Sequence, residues 1–525
     1  MRLDHSSRRR AIEAMGSGEL DLLVVGGGIT GAGAALDAAT RGLSVGLVEA
    51  RDLASGTSSA SSKLIHGGLR YLEMGDFRLV REALRERELL LTRTARHLVA
   101  PVPFLWPLRG RVWERAYLGA GLVLYDTLGG ARSVPRHRHL TRRGALEIAP
   151  ALRPDALVGA VQFHDAAEDD ARMVVAVART AAQHGAHLAT RVRVTGIKGP
   201  GRVEAVDEET GEPLLLRARH VAGAAGVWTD QLRELAGGRS SHRIVPSKGI
   251  HVFVAGDRLR LDTGLLVRTE KSVLFVIPWQ GGWLIGDTDT PWRHGPDSPV
   301  ATGADVDYLL AKTNALLAEP LRREDVHGVT AGLRPLVADA ARNDTTRISR
   351  QHVVESPAPG LTTIAGGKYT TYRVMAADLV DAAGRALGGV RPSRTREVPL
   401  VGHDDELAAL IAADPSLGEP LEGAHARAEV VHACTHEGAL HLEDVLERRT
   451  RLALTAPDRG LAAAEPAAAL MAGALGWSAA RTRDEVERYR ARVVAAHAAE
   501  AERDDDAALR AYRAALAERD AAAAR

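Results

Sequence analysis

The chain of 525 residues carries 68 basic and 67 acidic side chains, for a formal charge of +1, and 45% of it is hydrophobic. That length exceeds what one hydrophobic core organises, so two or three packed domains are expected. The near-neutral total excludes the basic excess of a dedicated nucleic-acid binder. The single cysteine, Cys434, excludes an internal disulfide and any paired zinc spacing; no metal is expected, and the composition suits a reducing cytosol.

Residues 1–19 contain Arg8, Arg9 and Arg10 but no apolar run before Asp21, which reads as a short flexible leader and not a secretory signal. No stretch approaches the ~20 apolar residues that span a bilayer, so any membrane contact is expected to be peripheral. An apolar run at 22–25 ends in three glycines, 32–40 reads as helix, and a second apolar run at 45–48 closes on Glu49. That is one strand–turn–helix–strand unit. A long charged helix is expected over 77–98, followed at 101–150 by a stretch rich in Pro, Arg and aromatic residues with weak periodicity. Further on, 172–184 reads as helix, 187–197 as strand, and 221–226 as a buried strand ending in a glycine turn. Runs at 273–277 and 283–285 flank Gly281-Gly282 as a hairpin, within an antiparallel sheet expected over 251–329. One more strand at 361–365 leads through Gly366-Gly367 into a helix over 370–387. Beyond 392 the chain is alanine-rich and helical without strand signals, and 501–525 is expected to be a solvated or frayed helix.

Gly26-x-Gly28-x-x-Gly31 lies between its strand and its helix, the context that a dinucleotide fingerprint requires. The first glycine permits the turn, the second lets a pyrophosphate approach the backbone, and the third allows helix–strand packing. Free N–H groups at the helix start then hold the phosphates. Glu49 falls where an acid bonds ribose hydroxyls and repels a 2′-phosphate. The fingerprint alone does not separate FAD from NAD.

The segment 57–73, TSSASSKLIHGGLRYLE, resembles the FAD-dependent glycerol-3-phosphate dehydrogenases, a branch of the D-amino-acid-oxidase-like flavoproteins. Matches continue in order: DDAR at 169–172, KGIH at 248–251, IPW at 277–279, IGDTD at 285–289, GLRP at 332–335, AGGKYTTYR at 365–373 and LEDVLERRTR at 442–451. The resemblance covers roughly 20–490. It implies an α/β protein, α+β overall. A Rossmann-like FAD-binding domain is assigned to 20–100, 151–245 and 330–390. An antiparallel-sheet substrate domain takes 101–150 and 246–329, and a helical C-terminal domain takes 391–525. The chain departs from the family at 223–228, where GAAGVW replaces a pattern that begins with asparagine, and the Arg-rich stretch 132–143 follows no family pattern.

The resemblance implies hydride transfer from C2 of sn-glycerol 3-phosphate to N5 of FAD, giving dihydroxyacetone phosphate. Such chemistry needs a phosphate cradle, a polar group near the forming carbonyl and a base. Arg70 and Arg334 suit phosphate or developing oxygen charge because guanidinium forks match such oxygens. Lys368 is placed beside the flavin by the resemblance, where its charge suits both the phosphate and the reduced, anionic flavin, and Tyr71 is a candidate hydroxyl donor to phosphate. His66 and His251 are both candidate bases, since imidazole titrates near neutrality. Gly26, Gly28, Gly31, Glu49, Thr57, Ser58, Ser61, Lys63, Leu64, Gly226, Gly366, Gly367 and Thr370 are the expected FAD contacts.

Residues 113–128 combine aromatic and aliphatic side chains with Arg109, Arg111 and Arg115 close by, a composition that suits an element lying on anionic lipid. The family resemblance implies a membrane quinone as acceptor, and an enzyme that must reach a quinone dissolved in the bilayer has a use for such a patch. The expected position is cytoplasmic, peripheral to the inner face of the membrane, and a homodimer is also admitted. The rival with the same reductive half is an oxidase that passes electrons to O2 and makes H2O2. A flavin-binding subunit without turnover accounts less well for Arg70, Arg334 and Lys368 together, and an amine oxidase fits 63–73 poorly. Cys434 reads as structural.

Overall fold

The computed structural model describes residues 2–73, 75–110, 112–128, 133–199, 201–270, 273–339 and 351–523. Its first sheet is centred on Leu20–Val25, flanked by Val45–Val48 and His187–Ala189 on one side and Pro213–Gly223 and Leu361–Ala365 on the other, all parallel. Val353–Ala358 closes one edge antiparallel, and a meander of Val192–Ile197 and Gly201–Asp207 extends from Pro213–Gly223. Parallel strands must be covered on both faces. Here Leu22, Val24 and Leu47 pack under helices Ile29–Thr40, Asp170–Gln183 and Tyr372–Ala386, while Leu23, Val48 and Val221 pack in a second cluster on the opposite face.

The second sheet is mainly antiparallel. His242–Ala255 pairs along its length with Val326–Asp339 and also with Gly282–Gly286, which forms a hairpin with Val273–Trp279. Gln280 and Gly281, at φ 49° and 72°, supply the left-handed pair that a two-residue hairpin turn requires. The expected hairpin is present.

Gly159–Glu168, assigned from sequence to the FAD-binding domain, instead pairs in this second sheet with Val99–Leu108 and with Leu64–Ile65. An apolar run announces a strand but not its partner, which is a tertiary choice. Val326–Asp339 likewise runs across the boundary drawn at 330. The expected helix over 77–98 is helix Phe77–Leu89 with a π-turn at Leu90–Thr94, and 101–150 holds strand Val99–Leu108, helix Val112–Leu128, strand Arg138–Thr141 and helix Arg142–Ile148.

Two terminal readings are corrected. Within 1–19, His5–Ser17 is a capped helix: Asp4 accepts the Ser7 N–H at 2.7 Å, Met15 is buried, and the buried Arg8 guanidinium reaches Asp207 at 2.6 Å. At the other end, helix Asp505–Ala523 is docked and not frayed. Ala508 and Leu509 are buried with Trp292 and Val300, and Asp505 pairs with the buried Lys248. The region beyond 392 is helical as expected, with one short hairpin, Pro420–Glu422 and His425–Ala426. Cys434 is buried among its helices, and burial pushes the thiol up to about 12, as a structural cysteine requires.

Candidate active site

The glycine turn is steric in origin. Gly26 sits at φ +115°, and a Cβ there would lie 2.5 Å from the Ala224 carbonyl oxygen; one on Gly31 would lie 1.8 Å from the Gly26 oxygen. Gly31 therefore serves packing, while Gly26 and Gly28 line a cavity of about 1310 Å³. That volume exceeds the ~300–1,000 Å³ of ordinary small-molecule sites and admits a dinucleotide together with a small substrate. Glu49 lines it too, accepting the Gly27 N–H at 2.6 Å on one oxygen and the Arg51 N–H at 2.8 Å on the other. Each carboxylate oxygen keeps a second lone pair for a ribose hydroxyl. Ser58 Oγ accepts the first N–H of helix Ile29–Thr40 at 3.0 Å, and Thr57 Oγ donates to the Leu333 carbonyl at 2.6 Å. The Gly31→Ala variant is expected to lose FAD affinity, because the methyl group must push strand and helix apart at a cost of about 1–3 kcal/mol or more; equilibrium binding of FAD to the apoprotein checks this.

Gly226, at φ +55°, and Gly366 and Gly367, at φ +76° and +81°, turn the chain away at two strand ends and line the same cavity, as do Leu64 and Thr370. At position 223 a Cβ would stand 2.6 Å from Leu232 Cδ2, so this chain fills with leucine the space that the family's asparagine would need.

Lys63 does not face the cavity. It is fully buried, and its Nζ donates to Asp170 and to the Ser59 carbonyl, each at 2.7 Å. Ser61 lines the cavity, but its N–H and hydroxyl also go to Asp170, at 2.9 and 2.7 Å. Lys63, expected at the cofactor, thus holds the loop in shape from behind, and Ser61 shares that bond to Asp170 while lining the cavity. The ammonium of Lys63 needs a buried counter-ion, and Asp170, from a distant part of the chain, supplies it.

A second cluster lines the cavity. Lys368 Nζ lies 3.4 Å above the Tyr71 ring, a cation–π contact that orients the ammonium. Arg334 pairs with Asp287, donates to the Thr288 carbonyl at 2.8 Å and lies 3.5 Å from Asp289. The guanidinium is thus oriented by two carboxylates of the IGDTD motif, Asp287 and Asp289, neither of which is among the candidate site residues named from the sequence. His251 is 2% exposed, its Nε2 is 2.9 Å from Ser62 Oγ, and burial pushes it down to about 4, so it is neutral near pH 7. His66 is half-buried at the cavity wall against Phe275, with its main-chain N–H and C=O both bonded to Thr370 Oγ, at 3.1 and 3.2 Å. Arg70 begins the short helix Arg70–Glu73, and its side chain lies outside the described residues.

Comparison with known proteins decides the family. Residues 21–373 match the family described as FAD dependent oxidoreductase, and 402–482 match the C-terminal domain of alpha-glycerophosphate oxidase. Glycerol-3-phosphate dehydrogenase 2 of Mycobacterium tuberculosis (strain ATCC 25618 / H37Rv) is 47% identical over 544 residues, covering 96% of this chain and 93% of that protein. The chain belongs to the FAD-dependent glycerol-3-phosphate dehydrogenases. The mitochondrial glycerol-3-phosphate dehydrogenase of Bos taurus is 36% identical, over 90% of this chain and 73% of its own. Among solved structures, the Bacillus halodurans glycerol-3-phosphate dehydrogenase complexed with FAD superposes with a TM-score of 0.75 at 27% identity, covering 94% of this chain and 98% of that one. The L-alpha-glycerophosphate oxidase of Mycoplasma pneumoniae, at 20% identity and a TM-score of 0.56 over 73% of this chain and all of its own, shares the fold.

FAD is the cofactor of this family, and the site fits it. The glycines leave the backbone bare where a pyrophosphate would lie, Glu49 is in place for a ribose, and Thr57, Ser58 and Gly366-Gly367 edge the same cavity.

Proposed function

We propose that this glycerol-3-phosphate dehydrogenase oxidises sn-glycerol 3-phosphate to dihydroxyacetone phosphate and passes the electrons to a membrane quinone. The observation that carries the substrate reading is the gathering of Arg334, Lys368 and His66 on one cavity wall system with the glycine turn. FAD, when bound, supplies the acceptor for the hydride that leaves C2. Arg334 and Lys368 supply the positive charge for the phosphate dianion, the first as a guanidinium held in place by Asp287 and Asp289 and the second as a compact ammonium. His66 takes the C2 hydroxyl proton as the carbonyl forms. His251 is the weaker candidate, because burial, with the nearby Lys63 and Arg334 charges, leaves it poorly basic. Its role is to hold the wall of the site.

The acceptor reading rests on helix Val112–Leu128. Val112, Trp113 and Tyr117 are 93%, 57% and 54% exposed, Val123 is also exposed, and Tyr117, Leu118 and Leu124 line the cavity. An apolar patch that continues into a redox cavity suits a lipid-dissolved acceptor better than dioxygen, which needs no such surface. Strand Arg138–Thr141 packs beside Gly119, with Arg136, Arg138, Arg142 and Arg143 exposed nearby; these supply the basic rim that attracts anionic lipid. Arg115 is turned inward to the Leu140 carbonyl at 3.1 Å, and Arg111 lies outside the described residues. Among the described residues no helix is long and apolar enough to cross a membrane, so the proposed attachment is peripheral, on the inner face of the cytoplasmic membrane.

The test is turnover of the FAD-loaded protein with glycerol 3-phosphate, with and without vesicles of anionic lipid containing a quinone. Quinone reduction without stoichiometric peroxide is expected, and rapid peroxide release with no response to quinone would overturn the acceptor reading. The triple variant Val112→Ser, Trp113→Ser, Val123→Ser, at exposed positions outside the cavity lining, is expected to pellet less with those vesicles while its flavin is still reduced by substrate. Undiminished pelleting would remove this helix as the contact.

A further inference from the structure

A buried polar chain lies behind the His66 loop and takes no part in the scheme above. Tyr125, on the inward face of helix Val112–Leu128 and 1% exposed, donates to Asp165 at 2.7 Å, and its oxygen accepts the Gly67 N–H at 2.8 Å. Asp165, itself buried, is paired with Arg87 of helix Phe77–Leu89, which also donates to the His164 carbonyl at 3.2 Å. Phenylalanine would occupy the same space without a polar atom to satisfy, so a hydroxyl here is expensive unless something needs it.

What needs it is the main chain. After Leu64–Ile65 the backbone leaves the sheet through His66, Gly67 and Gly68, the last at φ +75°. The loop therefore lacks ladder bonds, and its two glycines leave it conformationally loose. Side chains fix it instead: Thr370 takes both main-chain groups of His66, and Tyr125 takes the N–H of the next residue. Gly67 has no room to yield toward its neighbours, since a Cβ there would stand 2.6 Å from Leu84 Cδ2 and 2.8 Å from Tyr125 Cε2.

We propose that Tyr125 is a positioning residue, which sets the approach of His66 to the substrate through the Gly67 N–H while Asp165 and Arg87 fix its own hydroxyl. The inference rests on the reading of His66 as the base. Loss of the hydroxyl leaves phosphate and cofactor contacts in place and loosens the base, so it acts on the chemical step and not on binding.

The experiment is anaerobic rapid mixing of FAD-loaded Tyr125→Phe with glycerol 3-phosphate, beside wild type and Tyr489→Phe. Tyr489 is an equally buried tyrosine whose hydroxyl bonds the Arg459 carbonyl at 2.5 Å in the C-terminal helices, and it reports the general cost of removing a buried hydroxyl. Flavin reduction in Tyr125→Phe is expected to slow by about 10–100-fold, the cost of a small misplacement of a reacting group. FAD affinity and the substrate concentration for half-maximal rate should stay within about twofold, an allowance equivalent to roughly 0.4 kcal/mol. Tyr489→Phe should reduce its flavin at the wild-type rate. Wild-type speed in Tyr125→Phe, or slowing that only tracks lost FAD, overturns the positioning role alone. A wild-type flavin that glycerol 3-phosphate fails to bleach overturns that role together with the reading beneath it.

Discussion

The His66→Asn variant is expected to bind FAD as wild type does and to have its flavin reduced by glycerol 3-phosphate about 10²–10⁴ times more slowly, the usual worth of a positioned general base. Asparagine keeps the main-chain bonds to Thr370, which are the contacts that hold residue 66 in the loop. It removes the imidazole, and with it the nitrogen that accepts the proton and the edge contact with Phe275. His251→Asn provides the contrast. That side chain is enclosed, with its ring packed against Gly286 and its Nε2 bonded to Ser62, so its loss should lower stability and slow the reaction by less than about tenfold, or ~1.4 kcal/mol. Single-turnover flavin reduction measured on both variants ranks the two histidines. A larger rate loss in His251→Asn than in His66→Asn would reverse the assignment.

The second large effect is expected far from the chemistry. Arg451→Met should cost about 3–5 kcal/mol of stability, the typical result of removing one partner of a buried ion pair, and should weaken FAD binding with it. Arg451 is 3% exposed in the C-terminal helical domain; its guanidinium meets Asp169 at 2.8 Å, pairs also with Asp170, and reaches the Ser59 carbonyl at 3.3 Å. Asp170 in turn holds Ser61 and Lys63, so the arginine secures the loop that edges the cofactor cavity. Arg448 and Arg449 do the same at Asp52, at 2.6 and 2.8 Å, just beyond Glu49. The C-terminal domain thus braces both ends of residues 50–63. Denaturant unfolding with excess FAD, together with FAD titration of the apoprotein, checks the prediction; an unchanged midpoint would contradict it.

A pH dependence accompanies that brace. Burial alone would raise the Asp169 carboxyl, but Arg451 and Lys63 more than offset it and hold the group below the usual carboxylate range. A folded-state pKa lowered in this way gives stability that is present above the unfolded carboxylate pKa and is lost as pH falls through the folded one.

The nucleotide-binding unit was legible because its glycines answer local sterics: Gly26 and Gly31 stand where no side chain fits, and strand, turn and helix are contiguous in sequence. The cluster of His66, Tyr71, Arg334 and Lys368 was legible only through the family resemblance that the motifs carry, since those residues lie in separate stretches of the chain and the fold gathers them on one cavity. Long-range pairing was not. Nothing in 159–168 says that it joins the second sheet, and nothing near Lys63 shows that its charge is answered by Asp170. Helix His5–Ser17 escaped notice because an arginine, paired with Asp207, anchors it where a sequence reading looks for apolar residues. Tyr125 and Asp165 lie 40 residues apart in weakly periodic or misassigned segments, and only the fold brings them under Gly67.

The central claim is that this cavity presents a flavin to a phosphorylated alcohol held by Arg334 and Lys368, and one anaerobic cuvette tests it. Purified, yellow protein mixed with glycerol 3-phosphate should lose its visible flavin band, and an equal concentration of glycerol should leave it standing. Bleaching by both alike would contradict the phosphate cradle, and bleaching by neither would contradict the whole account.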